Sequence, residues 1–185
     1  MKELFFITSN KGKALEAQNR FSKIGIDVVQ KDLGYPEIQV HSLEEVAFFG
    51  AQFIQNKIDT PFFLEDAGLF IDSLHGFPGV YSAYVFHTIG CKGILKLMKD
   101  VENRKAVFKS VIAYGEPDQD PKIIIGESQG IITKKEIGKH GFGYDPIFIP
   151  NNETRTFAQM DTDEKNKFSH RGRSLDKLLD FFKRR

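Results

Sequence analysis

"LFFITSNKGKALEAQ", residues 4–18, decides the fold. Its apolar run from Leu4 to Ile7 has no polar alternation, as expected of a strand covered on both faces of a sheet. The run stops at Thr8-Ser9-Asn10, after which Ala14, Ala17, Phe21 and Ile24 recur at helical spacing, with Leu15 widening the stripe. Ser9 or Asn10 is placed to cap that helix. The same turn carries chemistry. A helix N-terminus presents backbone N–H groups and the positive end of its dipole. Gly12 admits a close approach, and Lys11 and Lys13 add charge, so Thr8 to Lys13 suits a phosphate. The spacing G-x-x-x-x-G-K-[ST] of the common nucleotide loop is absent. The competing reading is an ordinary cap followed by two solvated lysines.

The pattern outward from this unit alternates strands and helices. Ile26 to Val29 reads as a second strand, and residues 31–40 as a loop holding Glu37. Ser42 with Glu45 forms a capping box that opens a helix with Val46, Phe49 and Phe53 on one side. Pro61 to Leu64 reads as a buried strand ending in Glu65-Asp66-Ala67-Gly68. "HGFPGVYSAY", residues 75–84, reads as a loop, with a helix near 89–99. Residues 106–114 and 123–132 predict two long strands joined by "GEPDQDP", as an antiparallel layer beside the first sheet. A short strand at 147–149 and a final helix bearing Leu175, Leu178, Leu179 and Phe182 complete an α/β domain of mixed sheet topology, a single domain over residues 1–185.

Lys and Arg number 26 against 25 Asp and Glu. That balance provides no general attraction to nucleic acid or to a membrane, and any anion site must be local. The single Cys91 forms no intrachain disulfide, which fits a reducing, cytoplasmic setting. No apolar stretch is long enough to span a bilayer.

Three further stretches carry candidate chemistry. In "FLEDAGL", acids at the end of a buried strand stand where open α/β sheets place their sites. Glu65 and Asp66 point to opposite faces in an extended chain, so only one is central. Beside a phosphate cradle, such a carboxylate calls for a divalent cation, and Mg²⁺ binds through one or two carboxylates plus phosphate oxygens. Glu37 is the candidate second ligand, with a solvated loop acid as the alternative. In "GFGYDP", two glycines flank Phe142, whose ring is either a platform for a base or the anchor of a loop. "DEKNKFSHRGRS", residues 163–174, gathers Lys165, His170 and Arg171 into a basic turn before the last helix. It is either a solvated surface or a set of donors for a purine keto oxygen or N7.

Seven blocks follow one another in a known order: "TSNKGK" (8–13), "YPEI" (35–38), "LEDAGL" (64–69), "GFPGVYSA" (76–83), "GFGYDPIF" (141–148), "TFAQM" (156–160) and "EKNKFSHRGRSL" (164–175). In combination they resemble the Ham1-like inosine triphosphate pyrophosphatase family over essentially the whole chain. The resemblance implies an ITPase-like α/β fold, a mixed central sheet with helices and two lobes around a nucleotide-binding cleft, and usually a homodimer. It implies hydrolysis of ITP, dITP and XTP at the α–β bond, giving the monophosphate and pyrophosphate with Mg²⁺. Carried over by position, Thr8, Ser9, Asn10, Lys11, Gly12 and Lys13 hold the triphosphate with Lys165. Glu37 and Asp66 hold the metal, and Asp66 also accepts the proton of the attacking water. Ala67, Phe142, Gly143, Tyr144, Asp145, His170 and Arg171 line the nucleotide site. Two positions depart from the family pattern: Ala67 stands where Ser or Thr is common, and Tyr84 where many members carry Arg. The competing functions are a nucleotide-binding sensor without turnover, a pyrophosphatase for modified pyrimidine nucleotides, and an RNA-binding module, which the near-zero net charge disfavours.

Overall fold

The computed structural model describes residues 2–36 and 38–184, so Glu37 lies outside the described residues. The chain folds into one six-stranded sheet of strand order β2-β1-β3-β4-β5-β6. The strands are β1 (Lys2–Ile7), β2 (Ile26–Lys31), β3 (Phe62–Ile71), β4 (Lys105–Gly115), β5 (Lys122–Ile132) and β6 (Phe148–Pro150). The helices are α1 (Lys11–Phe21), α2 (Leu43–Gln55), α3 (Ser82–Leu97), α4 (Thr162–Phe168) and α5 (His170–Lys183). β1 pairs in parallel with β2 and with β3, whereas β6 runs antiparallel to β5, so the sheet is mixed as expected. The two long strands of the middle of the chain belong to this same sheet and do not form a separate layer.

Two compact units divide the chain. The first comprises residues 1–66, 111–125 and 174–185; the second comprises 67–110 and 126–173. Each has its own core. In the first, Leu4, Phe6, Phe21, Phe63, Ile112, Tyr114, Leu175 and Leu178 pack together, with the Phe6 and Phe63 rings stacked at 4.2 Å. Adjacent parallel strands bring these two rings into register, since Phe6 pairs with Phe63 across β1 and β3. In the second, Leu69, Ile71, Val85, Ile94, Phe108, Tyr144, Phe148 and Phe157 form the core, and the Phe108 and Phe148 rings meet edge to face at 4.8 Å. Truncating any of these buried phenylalanines costs about 3–5 kcal/mol.

Five expectations are corrected. β3 does not end at Leu64 but runs on to Ile71, so Glu65 and Asp66 lie inside the strand. Its parallel pairing with β1 reaches only Ile7↔Leu64, and the acids stand just past it. α3 has two segments that meet at a kink at Gly90; the second matches the helix expected near 89–99, and the first, entered from a short 3-10 turn over Gly79–Tyr81, is unexpected. Gly90, at φ 61° and ψ −166°, breaks its path and hides the helical period. In α2 the buried side is Leu43, Val46, Ala47, Gly50, Ala51 and Ile54, with Phe49 outside. Gly50 faces inward because the Tyr35 ring lies 2.8 Å from where its Cβ would stand. Leu15 of α1 is exposed and does not widen the buried stripe. The basic stretch at 163–174 is mostly helical, covering α4 and the start of α5.

Candidate active site

In the first unit the β1–α1 turn is built by its own small polar side chains. The Thr8 N–H extends the parallel ladder to the Lys31 carbonyl at 3.0 Å. Thr8 Oγ1 accepts from the Asn10 N–H at 3.1 Å, and Asn10 Oδ1 accepts from the Lys13 N–H at 3.1 Å. Asn10 is therefore the N-cap of α1, resolving the choice between Ser9 and Asn10. One of the open helix donors is used by the cap, while those of Lys11 and Gly12 lie in the first turn, where the helix provides no carbonyl for them. Ser9, Asn10, Lys11 and Gly12 are all exposed. The turn thus offers solvent-facing amides at the positive end of an 11-residue helix.

Lys13 behaves differently from Lys11. Its ammonium lies 2.7 Å from a carboxylate oxygen of Glu65 and donates to the Glu65 carbonyl at 3.3 Å. The Glu65 side chain is only 1% exposed, and a buried carboxylate requires such a counter-charge. Glu65 is the residue that sequence reasoning left without a role. Strand alternation gives the signal: with Asp66 on one face of β3, Glu65 is forced to the other, where burial demands a cation. Asp66 and Ala67 are half-buried, and Gly68 follows with no side chain. Gly68 is required there, since a Cβ would come within 2.4 Å of the Gly79 carbonyl oxygen. Just beyond it, the Ser82 hydroxyl accepts from the Leu69 N–H at 2.8 Å and donates to the Gly79 carbonyl at 2.7 Å.

In the second unit the glycine-rich loop presents Phe142, which is 46% exposed, with Gly143 after it. The buried Asp145 holds this loop: its Oδ2 accepts from the Phe142 N–H at 2.8 Å and from Lys165 Nζ at 2.6 Å. Lys165 Nζ also lies 4.7 Å from the centre of the Phe142 ring, and the Arg171 guanidinium carbon lies 5.3 Å from it. Lys165 comes from α4, whose start is fixed by a capping box. Asp161 accepts from the Glu164 N–H at 2.8 Å, and Glu164 returns the bond to the Asp161 N–H at 3.2 Å. Ser169 accepts from the Gly172 N–H at 3.0 Å at the head of α5. His170 stacks flat on Phe108, with ring centres 4.6 Å apart. Lys165, His170 and Arg171 are all buried despite their polarity. Buried nitrogen donors of Lys165 and Arg171 beside the exposed Phe142 ring suit a flat heterocycle bearing acceptor atoms.

Tyr144 sits elsewhere: its ring is in the core, and its hydroxyl donates to the Ser82 carbonyl at 3.1 Å. Burial raises its pKa above the ordinary range. Cys91, on α3 behind the same loop, donates to the Gly143 carbonyl at 3.4 Å. Burial, then the carboxylates of Glu136 and Asp145, push its thiol up to about 12. Tyr84, at the departure from the family pattern, is 70% exposed.

A model of the Ham1 family matches residues 4–181. The chain belongs to the Ham1 family. Its similarity to named members is close and complete in length. A Thermococcus kodakarensis protein named dITP/XTP pyrophosphatase is 53% identical over 180 residues, 97% of each chain. A Pyrococcus horikoshii protein of the same name is 50% identical over 181 residues, 98% of this chain and 97% of that one. Among solved structures, a HAM1 protein from Coxiella burnetii superposes with a TM-score of 0.89 at 30% identity, covering 100% of both chains. The α/β fold with its mixed sheet is thus the fold of Ham1 structures, and both units described above belong to it.

Proposed function

We propose that this chain is a nucleoside triphosphate pyrophosphatase acting on non-canonical purine nucleotides. It hydrolyses dITP, ITP and XTP at the α–β bond to the monophosphate and pyrophosphate, and so keeps them out of DNA and RNA. The observation that carries this reading is the full-length similarity to relatives named for dITP and XTP. The chemistry of both units agrees with it. The exposed amides and Lys11 of the α1 turn are matched to phosphate oxygens, and the donors around Phe142 to a purine.

Discrimination rests on position 6 of the base. A keto oxygen accepts from a guanidinium or an imidazole N–H, whereas the amine of adenine leaves such a donor unmet. Sites built this way reject the wrong base by roughly 10⁴-fold, more than shape alone provides. Arg171 and His170 are the donors assigned to that oxygen, with Phe142 stacking on the ring.

Hydrolysis at the α-phosphorus needs a water held in line and relieved of its proton. Asp66 is half-buried and is followed by the small, half-buried Ala67, so it keeps part of its surface open to solvent. Asp66 is the assigned proton acceptor. A divalent cation fits this donor set. Glu65 is committed to Lys13, and among the described residues no group of three or more His, Cys, Asp or Glu gathers as a metal cage. One or two carboxylates plus substrate oxygens is how Mg²⁺ is usually held at phosphates. Asp66 would hold it with Glu37, and the cation would neutralise phosphate charge and the departing pyrophosphate. A cytoplasmic homodimer with no nucleic-acid partner completes the proposal, the last point resting on a net charge of only +1. No helix among the described residues is long and apolar enough to cross a membrane.

The test is Asp66→Asn, assayed for dITP turnover. Loss of a general base lowers turnover by about 10²–10⁴ with the fold retained. Activity within a few-fold of the unsubstituted protein removes Asp66 from this role.

A further inference from the structure

Asp145 reads from sequence as one of the residues lining the nucleotide site, and its carboxylate is already engaged by Phe142 and Lys165. We infer that Asp145 is a positioning residue that sets base recognition by clamping Phe142 and Lys165 into one arrangement. The inference rests on the proposed reading of Phe142 as the base platform.

Three observations converge on the same carboxylate oxygen. Oδ2 accepts from the Phe142 N–H at 2.8 Å and from Lys165 Nζ at 2.6 Å. It also occupies the space that a side chain at position 141 would need: a Cβ on Gly141 would lie 2.0 Å from it, and Gly141 stands at φ 75°. The loop therefore wraps around the carboxylate, and glycine is what lets it close. The clamp reaches Phe142 at both ends. Its backbone is held directly by Asp145. Its ring is flanked by Lys165, which Asp145 holds, and by Arg171 at 5.3 Å. The Asp145 side chain is only 4% exposed, so the charge on these bonds is poorly screened and the hydrogen bonds are of the strong, charge-assisted kind. An exposed ring on a glycine loop would otherwise sample many orientations, and stacking on it would require ordering it first. Fixed in advance, it presents one face.

The consequence is a division of labour. Phe142, Lys165 and Arg171 meet the nucleotide, whereas Asp145 acts through them. Its substitution therefore affects affinity and selectivity before the chemical step. The amide of Asn replaces the shared acceptor with a neutral one that cannot match an ammonium.

The chain contains no tryptophan, so Phe142→Trp places a single indole at the ring in question. In that background, time-resolved anisotropy compares Asp145 with Asp145→Asn. The clamp predicts that the indole gains a fast nanosecond component only in the Asn protein. With Phe142 restored, Asp145→Asn is expected to raise KM for ITP about tenfold with kcat changed less, and to narrow the ITP-to-ATP ratio of kcat/KM. Unchanged anisotropy overturns the clamp. A loosened indole with an unchanged ITP-to-ATP ratio keeps the clamp but overturns its part in recognition, and with it the reading of Phe142 as the platform. If the Asn protein does not fold, Gly141→Ala, which drives a methyl into the same oxygen, is read by the same two measurements.

Discussion

At the scale of single residues, the site is governed by which charges are already engaged. Of the two lysines in the opening turn, Lys11 is exposed and Lys13 is tied to Glu65. The pair links the first turn of α1 to β3 at the point where parallel pairing with β1 stops. Glu65, the chain neighbour of Asp66, thereby holds Lys13, and its carboxylate is a structural counter-charge. Glu65→Gln keeps the shape and removes the charge, so it is expected to destabilise the protein by about 1–3 kcal/mol. Urea unfolding measures this, and a change under about 0.5 kcal/mol, the scatter of ordinary surface substitutions, contradicts it. Alternation in the sequence separates the two acids but does not tell which of them is buried. Two adjacent acids before a glycine read as a surface turn or a metal site, and only the strand's continuation buries one of them.

At the scale of elements, the sequence was most informative where the local pattern is self-sufficient. β1, α1 and the N-cap of α2 follow from an apolar run, a helical period and a side chain that bonds its own backbone: Ser42 accepts from the Glu45 N–H at 3.2 Å, although Glu45 takes the Ser42 hydroxyl at 2.8 Å and not the N–H that a full capping box needs. It was least informative where tertiary packing overrides local signals. β3 passes through Glu65, Asp66 and Gly68, residues of low strand propensity, with Glu65 engaged by Lys13 and Gly68 packed against the Gly79 carbonyl. The first part of α3 is hidden because the helical path is interrupted at Gly90, and the glycine-rich stretch before Ser82 reads as loop. The aromatic stripe of α2 misled for a related reason: the buried side holds small residues so that Tyr35 can pack on Gly50, and Phe49 is left outside. For the candidate site, the motif blocks name loops but not the contacts within them. That Asp145 faces Lys165, and that Tyr144 faces Ser82, depends on pairs separated by 20 and 62 positions.

At the scale of the whole molecule, the near-balance of charge leaves function to local fields and stability to the two cores. One titration is expected to be visible globally. The Cys91 thiol is pushed up to about 12 from an ordinary 9.0, and Tyr144 shifts upward from 10.0. Below pH 9 both groups are protonated in the folded and unfolded chain and contribute no difference. From pH 9 toward 12 the unfolded thiol loses its proton while the folded one keeps it, so stability falls as pH rises, with Tyr144 adding the same sign from pH 10. Unfolding midpoints in urea between pH 8 and pH 10.5 should therefore decline, and decline less in Cys91→Ala. An identical slope in both proteins contradicts the shift.

The central claim, attack of water on the α-phosphorus of a non-canonical purine triphosphate, is tested most directly by turnover of dITP in ¹⁸O-water with Mg²⁺, followed by phosphorus NMR of the products. The expected result is dIMP carrying the label, unlabelled pyrophosphate, and ATP largely spared under the same conditions. Release of dIDP and orthophosphate, label in pyrophosphate, or equal turnover of ATP would contradict the account.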